Sequence, residues 1–195
     1  MDTILERTVF FVKEHLGIFK AANNFDIFDP ASGQLILECR EENLGILTKM
    51  LRFTDFKRMT PFDIRVRRPD GQQVLRVSRG TSFFLSKVRV MDEHEMVVGG
   101  FQQKFFSIGG KFEVLDAEDR PLCTLKGKWT GWDFRFMSGQ TELAHVTKKW
   151  AGIGKELFTS ADNYVLQIGE SVRPGDPLRI LILGAVMCID MVLKE

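Results

Sequence analysis

RILILGAVMCIDMVL, residues Arg179–Leu193, decides how this chain is to be read. Ten apolar or small residues run unbroken from Ile180 to Ile189 before Asp190 interrupts them. Pro174 and Pro177 precede the run; proline can start a helix but not continue one. A helix over the 16 residues from Leu178 to Leu193 would be about 24 Å long at about 1.5 Å per residue. A bilayer core of about 30 Å needs about 20 apolar residues, so the run is short for a span. Asp190 also adds a cost inside hydrocarbon, and no aromatic residue flanks the run as an interfacial anchor. Because the segment is apolar all round, it must be buried all round. The expectation is a helix enclosed by its own protein, with membrane insertion as the alternative. Gly184 and Ala185 would permit close approach to the enclosing wall. Asp190 and Lys194 would pair across one turn at its mouth, with Arg179 three turns earlier near the same face.

The rest of the chain supplies a wall. In Asn23–Arg40, NNFDIFDPASGQLILECR, alternating Phe25 and Ile27 lead into a turn with Pro30 and Gly33, then Leu35 and Leu37. Pro61–Arg79 repeats the pattern: Phe62, Ile64 and Val66, the turn PDG, then Val74, Leu75 and Val77. Gly110–Gly127 does so again around DAEDRP, and Lys87–Phe101 and Trp132–Trp150 are looser copies. A period-2 apolar run, a turn rich in Asp, Gly or Pro, and a second such run is the pattern of a β-hairpin. Val9–Val12 and Tyr164–Ile168 read as further strands, and Ala151–Tyr164 as a loop or short helix. A propeller needs more residues than the 195 present. Neither linker nor low-complexity stretch divides the chain, so residues 1–195 are expected to form one domain. The fold class expected is mainly β: a closed antiparallel barrel wide enough to hold a helix.

Little in the chain points to catalysis. Cys39, Cys123 and Cys188 lack CxxC spacing, and His15, His94 and His145 have no ligand partners at metal spacing. The cysteines read as buried thiols in a reducing compartment. His94 lies in the acidic turn DEHE, and Asp116, Glu118 and Asp119 fall in a hairpin turn where solvated charge is ordinary. There is no GxSxG elbow. GIGK at Gly152–Lys155 lacks the earlier glycine of a phosphate loop. An enzyme is not expected. The N-terminal residues show no signal peptide and no myristoylation start, and there is no CaaX box.

Charge is unevenly placed. Between Lys49 and Arg89 there are eleven bases against Asp55, Asp63 and Asp70, a local excess of +8 in a chain whose total is +1. That total gives no field toward nucleic acid. Alternate strand residues share a face, so Arg65 and Arg67 should project outward if Ile64 and Val66 face the lumen, with Arg76 joining them from the partner strand. Guanidinium forks bind phosphate bidentately. Arg52, Lys57, Arg58, Arg65, Arg67, Arg68 and Arg76 are therefore the candidate contacts to an anionic phospholipid surface. Phe53, Phe56, Met59 and Phe62, interleaved with these bases, are candidate wedges into headgroups. The competing expectations are a solvated barrel exterior whose acids come from other strands, or a protein or nucleic-acid partner.

The C-terminal third carries a resemblance. KKWAGIGKELFTSADNYVLQI and ILILGAVMCIDMVLKE, over Lys148–Glu195, are similar to the phospholipid scramblases. The shared residues are Trp150, Gly152, Glu156, Phe158, Thr159, Ala161, Asp162, Asn163, Tyr164 and Gln167, then Gly184, Ala185, Ile189, Asp190 and Glu195. Upstream, KFFSIGGKFEVLDAEDRPL resembles the related LURP-one and Tubby-like proteins. The resemblance implies a closed barrel of about twelve strands around a hydrophobic C-terminal helix. It also implies transbilayer lipid movement as one activity, with peripheral binding of anionic headgroups, at a cytoplasmic location on the inner face of the membrane, as the reading the residues favour. The proline-rich and cysteine-rich segments of animal scramblases have no counterpart here, so no lipid tether is expected. The family's calcium segment makes Asp162 and Asn163 candidate ligands. However, Ser160 replaces its first aspartate and only Glu170 and Asp176 follow, separated by Arg173. Calcium takes six to eight oxygens, so neither metal nor other cofactor is expected, and Asp162 and Asn163 read as a turn before the next strand.

Overall fold

Apolar alternation and tight turns build twelve strands, each paired with its neighbours in the chain and the last paired with the first. The computed structural model describes residues 3–15, 24–42, 45, 60–80, 87–103, 111–128, 132–148 and 163–192. The strands are β1 (Val9–Glu14), β2 (Phe25–Phe28), β3 (Leu35–Glu41), β4 (Phe62–Arg67), β5 (Gln73–Arg79) and β6 (Lys87–Met91). They continue with β7 (Val97–Gln103), β8 (Phe112–Asp116), β9 (Pro121–Lys128), β10 (Asp133–Ser138), β11 (Thr141–Thr147) and β12 (Asn163–Ile168). Every neighbouring pair is antiparallel, and β12 returns to β1 with Val9 opposite Gln167, which closes the barrel. A barrel of eight strands is filled by its own side chains, so twelve leave room for a further element. That element is helix α1 (Leu178–Val192), about 22 Å long at 1.5 Å per residue. The expected pairing of Asp190 with Lys194 falls outside the described residues, as does most of the loop or short helix expected over Ala151–Tyr164, whose last two residues, Asn163 and Tyr164, instead open β12.

Five two-strand hairpins solve the same turn problem in the same way. Each carries one residue at positive φ: Gly33, Gly71, Glu95, Asp119 and Gly139. In three of them the amide before the turn bonds the carbonyl four residues on: Arg68 to Gln72 at 2.8 Å, Asp92 to Met96 at 3.0 Å and Asp116 to Arg120 at 3.0 Å. This is the three-residue hairpin loop in which a left-handed residue follows a tight turn and opens a bulge. The side chains of Asp29, Asp70, Asp92 and Asp116 each accept the amide two residues on, at 2.9–3.0 Å, which explains the aspartate in these four turns.

The bulges shape the wall. The register slips beside each turn, at Ile27/Phe28, Val66/Arg67, Val90/Met91, Val114/Leu115 and Phe136/Met137. At each slip two consecutive apolar residues of one hairpin arm are buried: Ile36–Leu37, Val74–Leu75, Val90–Met91, Val114–Leu115 and Leu143–Ala144. A bulge bends its strand and sharpens the local twist, the bending that a sheet needs to close on itself. Strict alternation is therefore broken where the chain must curve.

All five hairpin turns, the start of β1 and the start of α1 lie at one end of the barrel, here the hairpin end. The helix runs from it toward the far end, and every residue from Ile180 to Met187 is buried. Full burial of each large aliphatic side chain contributes about 1.5–3 kcal/mol. The helix lies nearest β5, β6, β7 and β12. At Gly184 an added Cβ would sit 3.2 Å from Val77 and Val90, and at Gly99 one would sit 3.1 Å from Leu181 and 2.1 Å from the Leu115 carbonyl. Phe10, Phe25, Phe112, Phe134 and Phe136 are also fully buried and fill the lumen.

Two outcomes follow for stability. Gly100→Ala would place Cβ 2.0 Å from the Val88 carbonyl; backbone cannot yield cheaply, so thermal unfolding should show a loss of about 3 kcal/mol. Asp119→Gly removes a side chain from φ 66 and should stabilise by about 0.5 kcal/mol, a rise in Tm of about 1–2 °C.

Candidate functional site

The outer face of β3, β4 and β5 gathers the arginines. Phe62, Ile64 and Val66 point into the lumen, so Asp63, Arg65 and Arg67 point out. Arg65 stands opposite Arg40 on β3 and opposite Arg76 on β5. Three guanidinium side chains thus occupy one cross-strand row, and like charges directly opposite each other repel.

Carboxylates interleave with the row. Arg40 Nη2 donates to Asp26 Oδ1 at 2.7 Å and to Glu38 Oε1 at 2.9 Å, and its Nη1 donates to the Phe25 carbonyl at 2.7 Å. Arg67 forms a fork on Glu42, with Nη2 to Oε2 at 3.0 Å. The same Glu42 oxygen lies 3.6 Å from Arg65 Nε. Arg76 grips Asp63 through Nε and Nη2, both at 2.7 Å, and reaches Glu95 at 2.7 Å through Nη1. Four arginines on this face are met by five carboxylates: Asp26, Glu38, Glu42, Asp63 and Glu95. The arginine side chains keep 27–31% of their surface exposed.

These contacts set the titration of the carboxylates. The Arg67 fork holds Glu42 below its ordinary value, with Arg65 adding to it. Glu95 is lowered by the Gln73 side-chain amide and by Arg76. At Asp26 partial burial pushes upward, but the hydrogen bonds from Arg40 and His15 outweigh it and the carboxyl is lowered. Arg76 is correspondingly raised by Asp63 and Glu95.

The sequence-predicted residues distribute as follows. Arg65, Arg67 and Arg76 are brought together as the alternation implied. Arg68 sits in the β4–β5 turn, its amide bonded to Gln72. Arg52, Lys57 and Arg58 lie outside the described residues, as do Phe53, Phe56 and Met59. Phe62 does not face outward: it is 4% exposed, because it shares the inward parity of Ile64 and Val66, and Arg79 turns inward over its ring at 4.8 Å. Sequence reasoning missed Arg40 and the acids Asp26, Glu38, Glu42 and Glu95. A charge count along a window sees only chain neighbours, whereas a sheet places β3 and the β6–β7 turn beside β4 and β5. The cross-strand register was the signal needed.

Asn163 is buried at the start of β12, opposite Lys13, and Asp162 lies outside the described residues. Among the described residues no group of three His, Cys, Asp or Glu side chains is placed to hold a metal ion. Cys39 and Cys123 are buried free thiols; burial pushes Cys39 far up and Cys123 up to about 12, so neither is a ready nucleophile.

Arg179 holds the helix at the hairpin end. Asp176 caps α1, accepting the Leu178 amide at 2.9 Å, and Pro177 opens its first turn. Arg179 is 2% exposed. Its guanidinium donates to the carbonyls of Val172 at 2.7 Å, Arg173 at 2.9 Å, Leu5 at 3.0 Å and Arg7 at 2.9 Å. Burial lowers its pKa, partly offset by the charges of Asp176 and Glu6. Among the described residues no helix is long and apolar enough to cross a membrane.

A closed meander threaded by a buried C-terminal helix defines a class of fold that has been seen before. A crystal structure of an Arabidopsis thaliana protein matches 96% of this chain and 93% of its own length, with a TM-score of 0.53 at 14% identity. The family model described as Scramblase matches residues 2–195, and the chain belongs to that family. Human phospholipid scramblase 2 is 21% identical over 210 residues, covering 100% of this chain and 68% of the human protein.

Two measurements check this geometry. Arg179→Met strands carbonyls of two segments and should cost about 3 kcal/mol or more, and Arg179→Lys should recover less than half, since one ammonium cannot reach them all. Carboxylates lowered in the fold stabilise it above their free values, 4.5 for Glu42 and Glu95 and 3.8 for Asp26. That contribution is lost as pH falls through their lower folded values. Chemical denaturation midpoints should therefore hold steady from neutrality to about pH 5 and decline below about pH 4.5.

Proposed function

We propose that this scramblase-family barrel is a peripheral binder of anionic phospholipid headgroups, working as a binding domain without catalysing a reaction and acting at the inner, cytoplasmic face of a membrane. The observation that carries the reading is the in-register row Arg40–Arg65–Arg76 with Arg67 beside it. A self-repelling row of guanidinium groups attracts anions. Carboxylates meet that demand, but Arg65 has the loosest of these contacts, at 3.6 Å. A headgroup phosphate can exchange with Glu42 and be held by the forks of Arg65 and Arg67. Arg52, Lys57 and Arg58, outside the described residues, are further proposed contacts of the same reading. The reading needs no bound ion and no nucleic-acid partner.

Movement of lipid between leaflets by α1 is disfavoured. The helix would have to give up burial on all its faces, break the Arg179 contacts and leave an apolar lumen open to water. At about 25 cal/mol per Å² of apolar surface, that is a large barrier.

Co-sedimentation with vesicles containing phosphatidylserine or a phosphoinositide tests the proposal. Pelleting should weaken with added salt, ignore EDTA, and drop several-fold in the double variant Arg65→Glu, Arg67→Glu once a thermal melt has shown it folded. Glu42→Gln, which removes the competing carboxylate, should strengthen pelleting. Equal pelleting by all three proteins would sink the assignment.

A further inference from the structure

The two ends of the barrel differ in charge and in chemistry. Among the described residues at the hairpin end, those outside the strands and α1 carry ten carboxylates against four arginines, Arg7, Arg68, Arg120 and Arg173, a net charge of −6. The chain total is +1, so all remaining residues together carry +7. The apolar Met96, Val97 and Leu122, exposed at the hairpin end, stand among Glu93, Glu118 and Asp119.

The far end presents something else. Trp132, at the start of β10, is half-buried and packs against the core. Its ring stacks on Tyr164 with centroids 5.1 Å apart and meets Phe134 edge-on at 5.9 Å. The ammonium of Lys148, at the end of β11, lies 4.3 Å from the Trp132 ring centroid. The backbone at Trp132 has φ 46, a conformation that a bulky side chain rarely adopts. The arrangement also requires Gly127, where a Cβ would lie 2.0 Å from the Phe134 ring. An amphipathic indole beside a lysine that can reach past it is the pairing favoured where hydrocarbon meets headgroups.

We propose that the barrel meets an anionic bilayer with its far end, Trp132 entering the interface and Lys148 reaching the phosphates, while the acidic hairpin end points into water. This rests on the anionic-lipid reading above and adds an orientation to it. An acidic end cannot face a negative leaflet without repulsion, and the positive remainder of the chain is drawn to it. The arginine face of β3–β5 flanks the barrel and approaches the surface when the axis tilts.

Bromolipid quenching separates the two ideas. A variant with Trp129→Phe and Trp150→Phe leaves Trp132 as the sole tryptophan. A second variant adds Trp132→Phe and Met96→Trp, which moves the indole probe to the hairpin end. Each is checked by circular dichroism and mixed with phosphatidylcholine vesicles carrying phosphatidylserine and brominated acyl chains, and pelleting is measured in the same samples. The expected result is pelleting of both, with Trp132 emission quenched and blue-shifted and the emission of the hairpin-end probe unchanged. Pelleting with the hairpin-end probe quenched, or with neither probe quenched, would overturn the orientation and leave headgroup binding standing. No pelleting of the wild-type chain would overturn the binding reading itself, and the orientation with it.

Discussion

One buried guanidinium fixes the helix to the barrel. A cation at the first turn of a helix opposes the helix dipole, and burying it adds desolvation. The fold accepts both because Arg179 gathers carbonyls from Leu5, Arg7, Val172 and Arg173, which belong to the segment leading into β1 and to the turn after β12. Those two strands close the barrel, since β1 pairs with β12. The same side chain therefore sets the depth of α1 and ties together the seam of the wall around it. An apolar helix has no directional contacts of its own, so without such a polar anchor its position along the lumen would be set by packing alone.

Much of this architecture was legible in the sequence. The all-round apolar run from Ile180 to Ile189 requires complete enclosure, and the repeated hairpin pattern supplies the enclosing sheet. What the sequence hid were two-dimensional relations. Val74–Leu75 and Leu143–Ala144 look like lapses in alternation, but they are bulges where the wall bends. The window from Lys49 to Arg89 looks strongly basic, but Glu42 and Glu95, outside it in the chain, sit against Arg67 and Arg76. Phe62 read as an outward wedge when grouped with nearby bases; strand parity, the more local rule, places it inside. Arg179 read only as a charge sharing a helix face with Asp190, because nothing along the chain reveals that four carbonyls converge on it.

The arginine face illustrates how a barrel surface reconciles repulsion with exposure. Each carboxylate neutralises locally, yet none is buried enough to lock its partner: the arginines remain about one-third exposed. Exposed pairs of this kind contribute little to stability, about 0–1 kcal/mol each. Their partners are therefore exchangeable at small cost, a property suited to a surface that trades carboxylate for phosphate.

The order of elements along the chain has a consequence for biogenesis. The helix follows every strand, so a ribosome delivers the whole greasy wall before the plug that fills it. The seam also joins the earliest strand to the latest, the slowest kind of contact to form. Between the emergence of β1 and that of α1 the nascent sheet is an open trough of phenylalanine and valine, prone to sticking to its neighbours. A holding chaperone, or rapid completion of the final segment, becomes part of what this fold demands of the cell that makes it.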